Sequence, residues 1–244
     1  MVAKLQTEKL CKNFGDLEAV KNIDMAVERG EFIAIVGPSG CGKTTFLRMV
    51  AGLETPTSGA ITIDGQPLSG PGSNRGFVFQ NDSLLPWRTV LSNALIGPEV
   101  SGKVGETEKK RTLDLLKLVG LGGFEKYYPR QLSGGMRQRV NLARALAIDP
   151  DVLLMDEPFA ALDAQTREIM QTELLRIWEQ GRKTVLFVTH QIDEAVFLSD
   201  RVLVFARRPG RLQESVKIDL PRPRGLGLKR DPAFVAYEIG RAHL

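Results

Sequence analysis

The architecture of this chain is set by one glycine-rich run, Gly37-Pro38-Ser39-Gly40-Cys41-Gly42-Lys43-Thr44-Thr45. The run follows an apolar segment, Phe32–Val36, and precedes a helical segment, Phe46–Val50. A G-x-x-x-x-G-K-[ST] pattern between a strand and a helix predicts a loop whose backbone N–H groups surround phosphate oxygens. Lys43 supplies a positive charge for the terminal phosphates, and the Thr44 hydroxyl can ligate Mg²⁺. The alternative, a glycine-rich turn with a surface lysine, is disfavoured because both flanks match the motif.

Two adjacent carboxylates end another strand that is predicted to be buried. Val152–Met155 is a continuous apolar run, and Asp156 and Glu157 follow it directly. In phosphate-loop enzymes an Asp at such a strand end helps to hold Mg²⁺, so Asp156 is predicted as a metal ligand. Glu157 lies where the chain leaves the sheet, where a carboxylate can polarise the attacking water as a general base. A plain strand cap is the alternative, and the phosphate loop upstream in the same sheet counts against it.

A second motif suited to an anion opens the helical run Arg137–Ala147. Ser133, Gly134 and Gly135 offer a hydroxyl, unobstructed N–H groups and the positive end of a helix. The chain then carries two motifs suited to phosphate, and only one of them is a phosphate loop. Either the second motif binds some other anion, or it completes a nucleotide site on a partner chain in a head-to-tail dimer. Taken alone, the motif would be a plain helix N-cap followed by a flexible turn.

Apolar runs rich in β-branched residues alternate with helical stretches, which predicts an α/β fold with a mostly parallel sheet. Strands are expected at 31–36, 76–79, 151–156, 184–189 and 201–206. An N-terminal antiparallel β subdomain is expected up to about residue 30. We expect one nucleotide-binding domain, in which 1–80 and 150–218 form the sheet core, 81–149 an inserted helical subdomain and 219–244 a tail. Within it, helices are expected over Glu106–Val119, over Met136–Ala147 and from Asp231.

The composition is that of a soluble globular protein, with 43% apolar residues and a net charge of +4. Apolar runs do not exceed five residues, so no membrane helix is predicted. The N-terminus lacks the apolar stretch of a signal peptide, and two cysteines predict reduced thiols in a cytosolic protein. The mild positive charge is compatible with nucleic acid, with an anionic membrane surface or with no special partner, and we favour the last.

These motifs, in this order, resemble those of the ATP-binding cassette family, the nucleotide-binding subunits of ABC transporters. The resemblance covers the chain from about Leu5 to Val216, and Leu132–Met136 is similar to the family signature, with Met136 replacing the usual glutamine. It implies a phosphate-loop NTPase core, ATP and Mg²⁺ as cofactors, and ATP hydrolysis. It also implies that ATP closes two cassettes, here a homodimer, with the phosphates held by Lys43 of one chain and Ser133 of the other.

The resemblance assigns four further residues. Phe14, which lies 23 residues before Gly37, is similar to the aromatic that stacks on adenine, although a core aromatic is the alternative. Gln80 resembles the glutamine that senses the γ-phosphate through Mg²⁺ or water. Asp163 resembles the residue that signals across the dimer. His190 ends a predicted strand, where the family histidine contacts the γ-phosphate and orients the water.

Residues 81–90 are unusually apolar for a loop, since they include Leu84, Leu85 and Trp87. They either close the core of the helical subdomain or receive a helix of a transmembrane permease, and the resemblance favours the permease. This loop, Met136 and the tail Leu220–Arg224 look like the nitrate, sulfonate and taurine group of importers. That group implies a small anionic cargo such as nitrate, taurine or an alkanesulfonate, and a periplasmic solute-binding protein.

On this interpretation the chain is peripheral, at the cytoplasmic face of the inner membrane, and has no nucleic-acid partner. The basic tail contacts lipid headgroups or packs on its own core, and we favour packing. The main alternative is a soluble cassette ATPase of DNA repair or translation, without a permease. One phosphate loop and no heptad run count against that alternative. A nucleotide-binding module that does not hydrolyse ATP is disfavoured by Glu157 and His190.

Overall fold

The computed structural model of this chain describes residues 3–239. Within that range the strands are β1 (Leu5–Phe14), β2 (Leu17–Val27), β3 (Phe32–Val36), β4 (Ser58–Ile63), β5 (Gln66–Pro67), β6 (Arg75–Val78), β7 (Val152–Asp156), β8 (Thr184–Val188), β9 (Arg201–Phe205) and β10 (Leu212–Lys217). The helices are α1 (Lys43–Ala51), α2 (Val90–Ala94), α3 (Ile96–Val100), α4 (Glu106–Leu118), α5 (Gly134–Ala147), α6 (Ala164–Gly181), α7 (Ile192–Leu198) and α8 (Pro232–Ile239).

The α/β architecture predicted from the apolar runs is confirmed. The five predicted strands are β3, β6, β7, β8 and β9, and every residue of β3, β7 and β8 is buried. The helices predicted over 106–119 and 136–147 are α4 and α5, and the short helix from Asp231 is α8. The sequence pattern does not delimit β10, because its residues alternate between half-buried and exposed and form no apolar run.

The chain divides into two compact units. The first unit contains Met1–Gly72 and Trp178–Leu244, and the second unit contains Ser73–Ile177. In the second unit the strands β6 and β7 group with the helices α2 to α5. The division predicted from sequence, with a sheet core, a helical subdomain over 81–149 and a tail from 219, stays a prediction. Residues 240–244 of that tail lie outside the described residues.

The first unit contains two sheets. One is antiparallel with strand order β2-β1-β4-β5, which confirms the antiparallel subdomain expected at the N-terminus. In the other, β3 pairs in parallel with β8 and β9, and β10 pairs antiparallel with β9. Aromatic side chains pack against each other beside this second sheet. The ring of Phe32 lies 5.9 Å from that of Trp178, and the ring of Phe46 on α1 lies 5.5 Å from that of Phe205.

The second unit is built on one parallel strand pair. Residues Arg75 to Val78 of β6 pair with Val152 to Met155 of β7. A Cβ atom added at Gly76 would lie 2.6 Å from the carbonyl oxygen of Ala145, so β6 and α5 approach too closely for a side chain at this position. Side chains of α5 also hold the end of β6: the amides of Gln138 and Asn141 both donate to the carbonyl oxygen of Phe79. This arrangement positions the segment that follows β6.

The basic tail packs on the first unit, as expected. Arg224 is 5% exposed and Arg222 pairs with Asp200 at 2.8 Å. The guanidinium of Arg222 also stacks over the ring of Trp178, 4.1 Å from its centroid. Over residues 3–239 the structure contains no helix that combines the length and the apolar character needed to span a bilayer.

Candidate nucleotide site

The predicted phosphate loop lies between β3 and α1 in the first unit. Gly42 is the N-cap of α1 and has a φ of 96°, which side chains rarely adopt. A Cβ atom there would lie 2.6 Å from the carbonyl oxygen of Ala19, so the loop requires glycine at this position for space as well as for conformation. The first turn of α1 contains no acidic residue. The backbone N–H groups of this first turn and the positive helix end can therefore face an anion.

Lys43 begins α1 and is 6% exposed. Its ammonium group donates to the carbonyl oxygens of Gly37 at 2.7 Å and Pro38 at 3.0 Å. The side chain thus curls back over the loop that precedes it, and its ammonium group lies against the loop backbone. Thr44 and Thr45 occupy the first turn of α1 and are half-buried. The structure therefore brings the predicted phosphate-binding residues together in one loop and one helix turn.

The loop is supported by a segment that the sequence analysis did not assign, Arg207–Arg211 between β9 and β10. Arg208 donates to the carbonyl oxygen of Gly40 at 3.3 Å. Gly210 packs so closely on Cys41 that an added Cβ atom would lie 2.1 Å from the carbonyl oxygen of Cys41. The signal that could have found this segment is its composition, since two arginines, a proline and a glycine follow directly on a buried strand.

His190 follows β8 in the first unit. Next to it, the hydroxyl of Thr189 donates to the buried carboxylate of Glu194 at 2.7 Å and accepts the N–H of Gln191 at 3.0 Å. These bonds hold the turn that leads into α7. His190 is exposed and lines a cavity that is also lined by Gly37, Pro38 and Ser39. The structure thus places the predicted histidine beside the first residues of the phosphate loop.

In the second unit, Asp156 ends β7 and is 3% exposed. Glu157 follows it with a φ of 48°, in the left-handed region that is uncommon for residues other than glycine. This local conformation turns the chain out of the strand. The amide of Gln80 donates to the carboxylate of Glu157 at 3.3 Å. The structure therefore brings together two residues that the sequence separates by 77 positions, the predicted γ-phosphate sensor and the predicted base.

One face of α5 fixes the loop after Gln80. The guanidinium of Arg137 donates to the carboxylate of Asp82 at 2.7 Å, and that of Arg144 donates to the carbonyl oxygens of Ser83 at 2.8 Å and Asp82 at 3.1 Å. Burial lowers the pKa of Arg144, and the charge of Asp82 partly offsets that effect. These contacts were not predicted from the sequence. The available signal was a polar stripe at helical spacing on α5, formed by Arg137, Asn141 and Arg144.

Ser133 is the N-cap of α5, and its hydroxyl accepts the N–H of Met136 at 3.2 Å. Ser133 and Gly134 are exposed, and Gly135 is half-buried against Leu162. This helix terminus is therefore presented to solvent at the surface of the chain, as the interpretation of a partner's phosphate site requires.

Asp163 is exposed and caps the helix α6. Its carboxylate accepts the N–H of Thr166 at 2.9 Å, and this bond lowers the pKa of Asp163.

Phe14 ends β1 and is 46% exposed, with the ammonium of Lys12 4.8 Å from its ring centroid. That exposure excludes the alternative of a core aromatic for Phe14. It leaves a ring face available for stacking, as the adenine assignment requires.

The donor groups proposed for Mg²⁺ fit that ion in chemistry. Among the described residues, no three His, Cys, Asp or Glu side chains cluster in a way that could hold a metal by themselves. Mg²⁺ instead takes oxygen ligands that usually include only one or two carboxylates, with nucleotide phosphates and water completing its shell. Thr44, Gln80 and Asp156 offer a hydroxyl, an amide and a carboxylate oxygen, which is a donor set of that kind.

Comparison with known families settles the class of the protein. The model of the family described as "ABC transporter" matches residues 20–160, more than half of the chain. The chain belongs to the ABC transporter family. Like the other ATP-binding proteins of the family it is an ATPase, and the resemblance drawn from the sequence is confirmed.

Two relatives are named for import of small anionic or zwitterionic solutes. The nitrate import ATP-binding protein NrtD of Synechocystis is 48% identical to this ABC protein, over 91% of this chain and 86% of the relative. The taurine import ATP-binding protein TauB of Yersinia pseudotuberculosis is 46% identical, over 91% of each chain. Among solved structures, a dimeric post-hydrolysis state of an ATP-binding cassette bound to ADP and Pi has a TM-score of 0.79 and 33% identity. The aligned region covers 89% of this chain and 100% of the chain in that structure.

Proposed function

We propose that this ABC protein is the ATP-hydrolysing subunit of an importer for a small anion such as nitrate, taurine or an alkanesulfonate. The observation that carries the proposal is the match, across nearly the whole chain, to cassettes named for nitrate and taurine import. In this proposal two copies of the chain act as a homodimer at the cytoplasmic face of the inner membrane. They drive a transmembrane permease that receives its cargo from a periplasmic solute-binding protein.

Two helix termini contact the phosphates in the proposed reaction. The phosphates lie against the N-terminus of α1, where Lys43 adds a full positive charge, and against Ser133 and the N-terminus of α5 of the partner copy. Mg²⁺, when bound, would supply positive charge that offsets the negative charge on the phosphates. Thr44, Asp156 and Gln80 are the oxygen donors that we assign to it. Loss of the γ-phosphate removes much of the attraction that joins the two copies.

Glu157 is the proposed general base, and His190 orients the water and contacts the γ-phosphate. The hydrogen bond from Gln80 keeps the carboxylate of Glu157 aimed, and it gives Gln80 a way to report phosphate release to the loop that follows it. Asp163, held rigidly as the cap of α6, is the proposed contact across the dimer. Phe14 is the proposed stacking partner of adenine.

The permease is proposed to dock on residues 81–90. Trp87 is 71% exposed, whereas Leu84 and Leu85 are half-buried. The side chain of Asn93 ties this loop together, since it accepts the N–H of Leu85 and donates to its carbonyl oxygen and to that of Arg88. The loop is thus rigid, and it presents one large aromatic side chain to solvent, which is typical of an anchor at an interface.

The shared site can be tested by complementation between two inactive variants. Lys43→Ala removes the charge of the phosphate loop, and Ser133→Glu places a negative charge at the N-terminus of α5. In a head-to-tail dimer, a mixture of the two variants regenerates one intact site, which pairs the unmodified Lys43 with the unmodified Ser133. We expect ATP turnover by the mixture to exceed that of either variant alone. Turnover by the mixture no higher than that of the separate variants would refute the shared site.

Transport is tested with the permease complex in vesicles, loaded with ATP and supplied with the binding protein. We expect uptake of labelled taurine, nitrate or an alkanesulfonate, and Glu157→Gln should retain ATP binding but lower turnover by roughly 10²- to 10⁴-fold. Glu168→Gln, an exposed carboxylate on α6, is the matched control. A chain that copurifies with no permease, and hydrolyses ATP at full rate alone, would instead support the soluble cassette ATPase.

A further inference from the structure

A cavity of about 400 Å³ lies within the first unit, beside the phosphate loop. Its walls are largely apolar, and they come from α7, β9, β10 and the segment after β10. The branched aliphatic residues that these elements contribute are Ile192, Val196, Val202, Val204, Val216 and Ile218. Tyr237 of α8 adds an aromatic wall. This size lies in the range of small-molecule sites, roughly 300–1,000 Å³, and a mostly apolar lining with a few polar groups is their usual composition.

The polar groups at this cavity favour an anion. Arg207 lines it and is exposed, and within residues 3–239 its guanidinium makes no hydrogen bond or ion pair. Ser39 and His190 line it too, and no Asp or Glu of the described chain does so. An unpaired guanidinium beside an apolar surface suits a ligand that has an apolar body and a carboxylate or sulfonate group.

The cavity is held open by a buried arginine. Arg224 donates to the carbonyl oxygens of Val196 at 2.9 Å and Ile218 at 3.4 Å, and these two residues line the cavity from different elements. The hydroxyl of Tyr237 accepts the N–H of Asp219 at 3.1 Å, which fixes a third wall. Because three walls are tied by hydrogen bonds outside the cavity, closing it would require breaking them.

We propose that this cavity is a regulatory site for an amphipathic organic anion, a carboxylate or sulfonate with an aliphatic or aromatic body. Gly37, Ser39 and His190 line the same cavity, so the anionic group of an occupant lies close to where the γ-phosphate is proposed to bind. Like charges repel, and the occupant therefore weakens ATP binding. Binding of the organic anion in the cavity does not depend on the proposed transport role. The effect of the bound anion on ATP affinity does rest on the proposed nucleotide site.

Isothermal titration of the full chain with three probes tests the chemistry. Naphthalene-1-sulfonate carries both an apolar body and a negative charge, naphthalene-1-methanol lacks the charge, and methanesulfonate lacks the body. We expect binding of the first probe only, and a KM for ATP that rises with its concentration while kcat is unchanged. Equal binding of naphthalene-1-methanol, no binding of naphthalene-1-sulfonate, or an unchanged KM would overturn the proposal.

Variants locate the site. Arg207→Gln should weaken binding of naphthalene-1-sulfonate by about tenfold, the usual loss for a charged hydrogen-bond partner. Arg211→Gln, an exposed arginine of the same loop outside the cavity, is the matched control and should bind as the unmodified chain does. Val216→Trp fills the cavity from a half-buried position and should abolish binding, with an unchanged melting temperature as the check of folding.

Lys43→Ala separates this cavity from the phosphate loop itself. Lys43 does not line the cavity, so the variant should still bind naphthalene-1-sulfonate. Loss of the probe in Lys43→Ala, or wild-type binding in Val216→Trp, would place the anion on the phosphate loop and refute the cavity site.

Discussion

Arg224 is the residue whose replacement tests the packing of the tail most directly. Arg224 is 5% exposed, and its guanidinium donates to five carbonyl oxygens. Three of these bonds are 3.1 Å or shorter, those to Val196, Phe197 and Ser199. These three carbonyls belong to the C-terminal end of α7 and to its cap, where a helix leaves acceptors unpaired. Arg224→Met keeps the aliphatic stem and removes every donor.

The expected loss of stability follows from two opposing effects. Each buried carbonyl left without a donor costs about 2 kcal/mol, or about 6 kcal/mol for the three short bonds. Burial of the charge acts in the other direction, because desolvation lowers the pKa of Arg224 from its ordinary range to about 10. At about 1.4 kcal/mol per pKa unit, removing that charge recovers about 3 kcal/mol. The net loss in the free energy of unfolding is therefore about 3 kcal/mol, or roughly 6–12 °C in melting temperature for a chain of this length.

Thermal melts and urea titrations followed by circular dichroism measure this loss. Arg230→Met is the matched control, since Arg230 is an exposed arginine of the same tail, and it should melt as the unmodified chain does. The melting temperature of Arg222→Met should lie between those of Arg224→Met and Arg230→Met, because Arg222 pairs with Asp200 at a less buried position. If Arg224→Met and Arg230→Met melt at the same temperature, the tail does not stabilise α7 and the reasoning fails.

Two further changes have defined outcomes. Lys43→Ala should lose ATP binding, measured with a fluorescent ATP analogue, because it removes the charge at the phosphate loop; Lys21→Ala, at a surface ion pair, should bind normally. A hydrogen bond from Lys4 lowers the pKa of Asp64 below 3.8 in the folded chain. The ionised carboxylate therefore stabilises the fold above about pH 4. That stabilisation is lost as the pH falls through the lower pKa of the folded state. Asp64→Asn should therefore be less stable in urea at pH 7, with a difference that shrinks below pH 4; a difference independent of pH would contradict the assignment.

Contiguous motifs account for what could be predicted at the site. The phosphate loop, the Asp156-Glu157 strand end and the Ser133 cap each involve a few neighbouring residues, and their backbone conformation follows from local rules for glycine, strand ends and helix caps. For that reason the positions of these motifs on strands, turns and helix termini were predictable, although their chemical roles stay predictions.

Contacts between distant residues were not predictable. Gln80 meets Glu157 across 77 positions, and Arg144 reaches Ser83 across 61. The partner in each pair cannot be read from a local pattern: the polar stripe on α5 marks Arg144 but does not identify Ser83, and a glutamine or arginine has many partners of similar energy until the chain is folded. The exposure of Phe14, which excluded a core position, likewise depends on where the hairpin of β1 and β2 lies and not on its own sequence.

The sequence by itself determined the class of the fold and the location of the phosphate-binding motifs, because strand periodicity and glycine-rich turns are encoded by residues adjacent in the chain. Only the tertiary structure decided how the basic tail is used. The sequence favoured packing of this tail over contact with lipid, but it did not show that Arg224 is buried under the end of α7, or that the residues it joins line a cavity beside the phosphate loop. Burial of a charge is favourable only where several acceptors converge, and that convergence is a property of the folded chain.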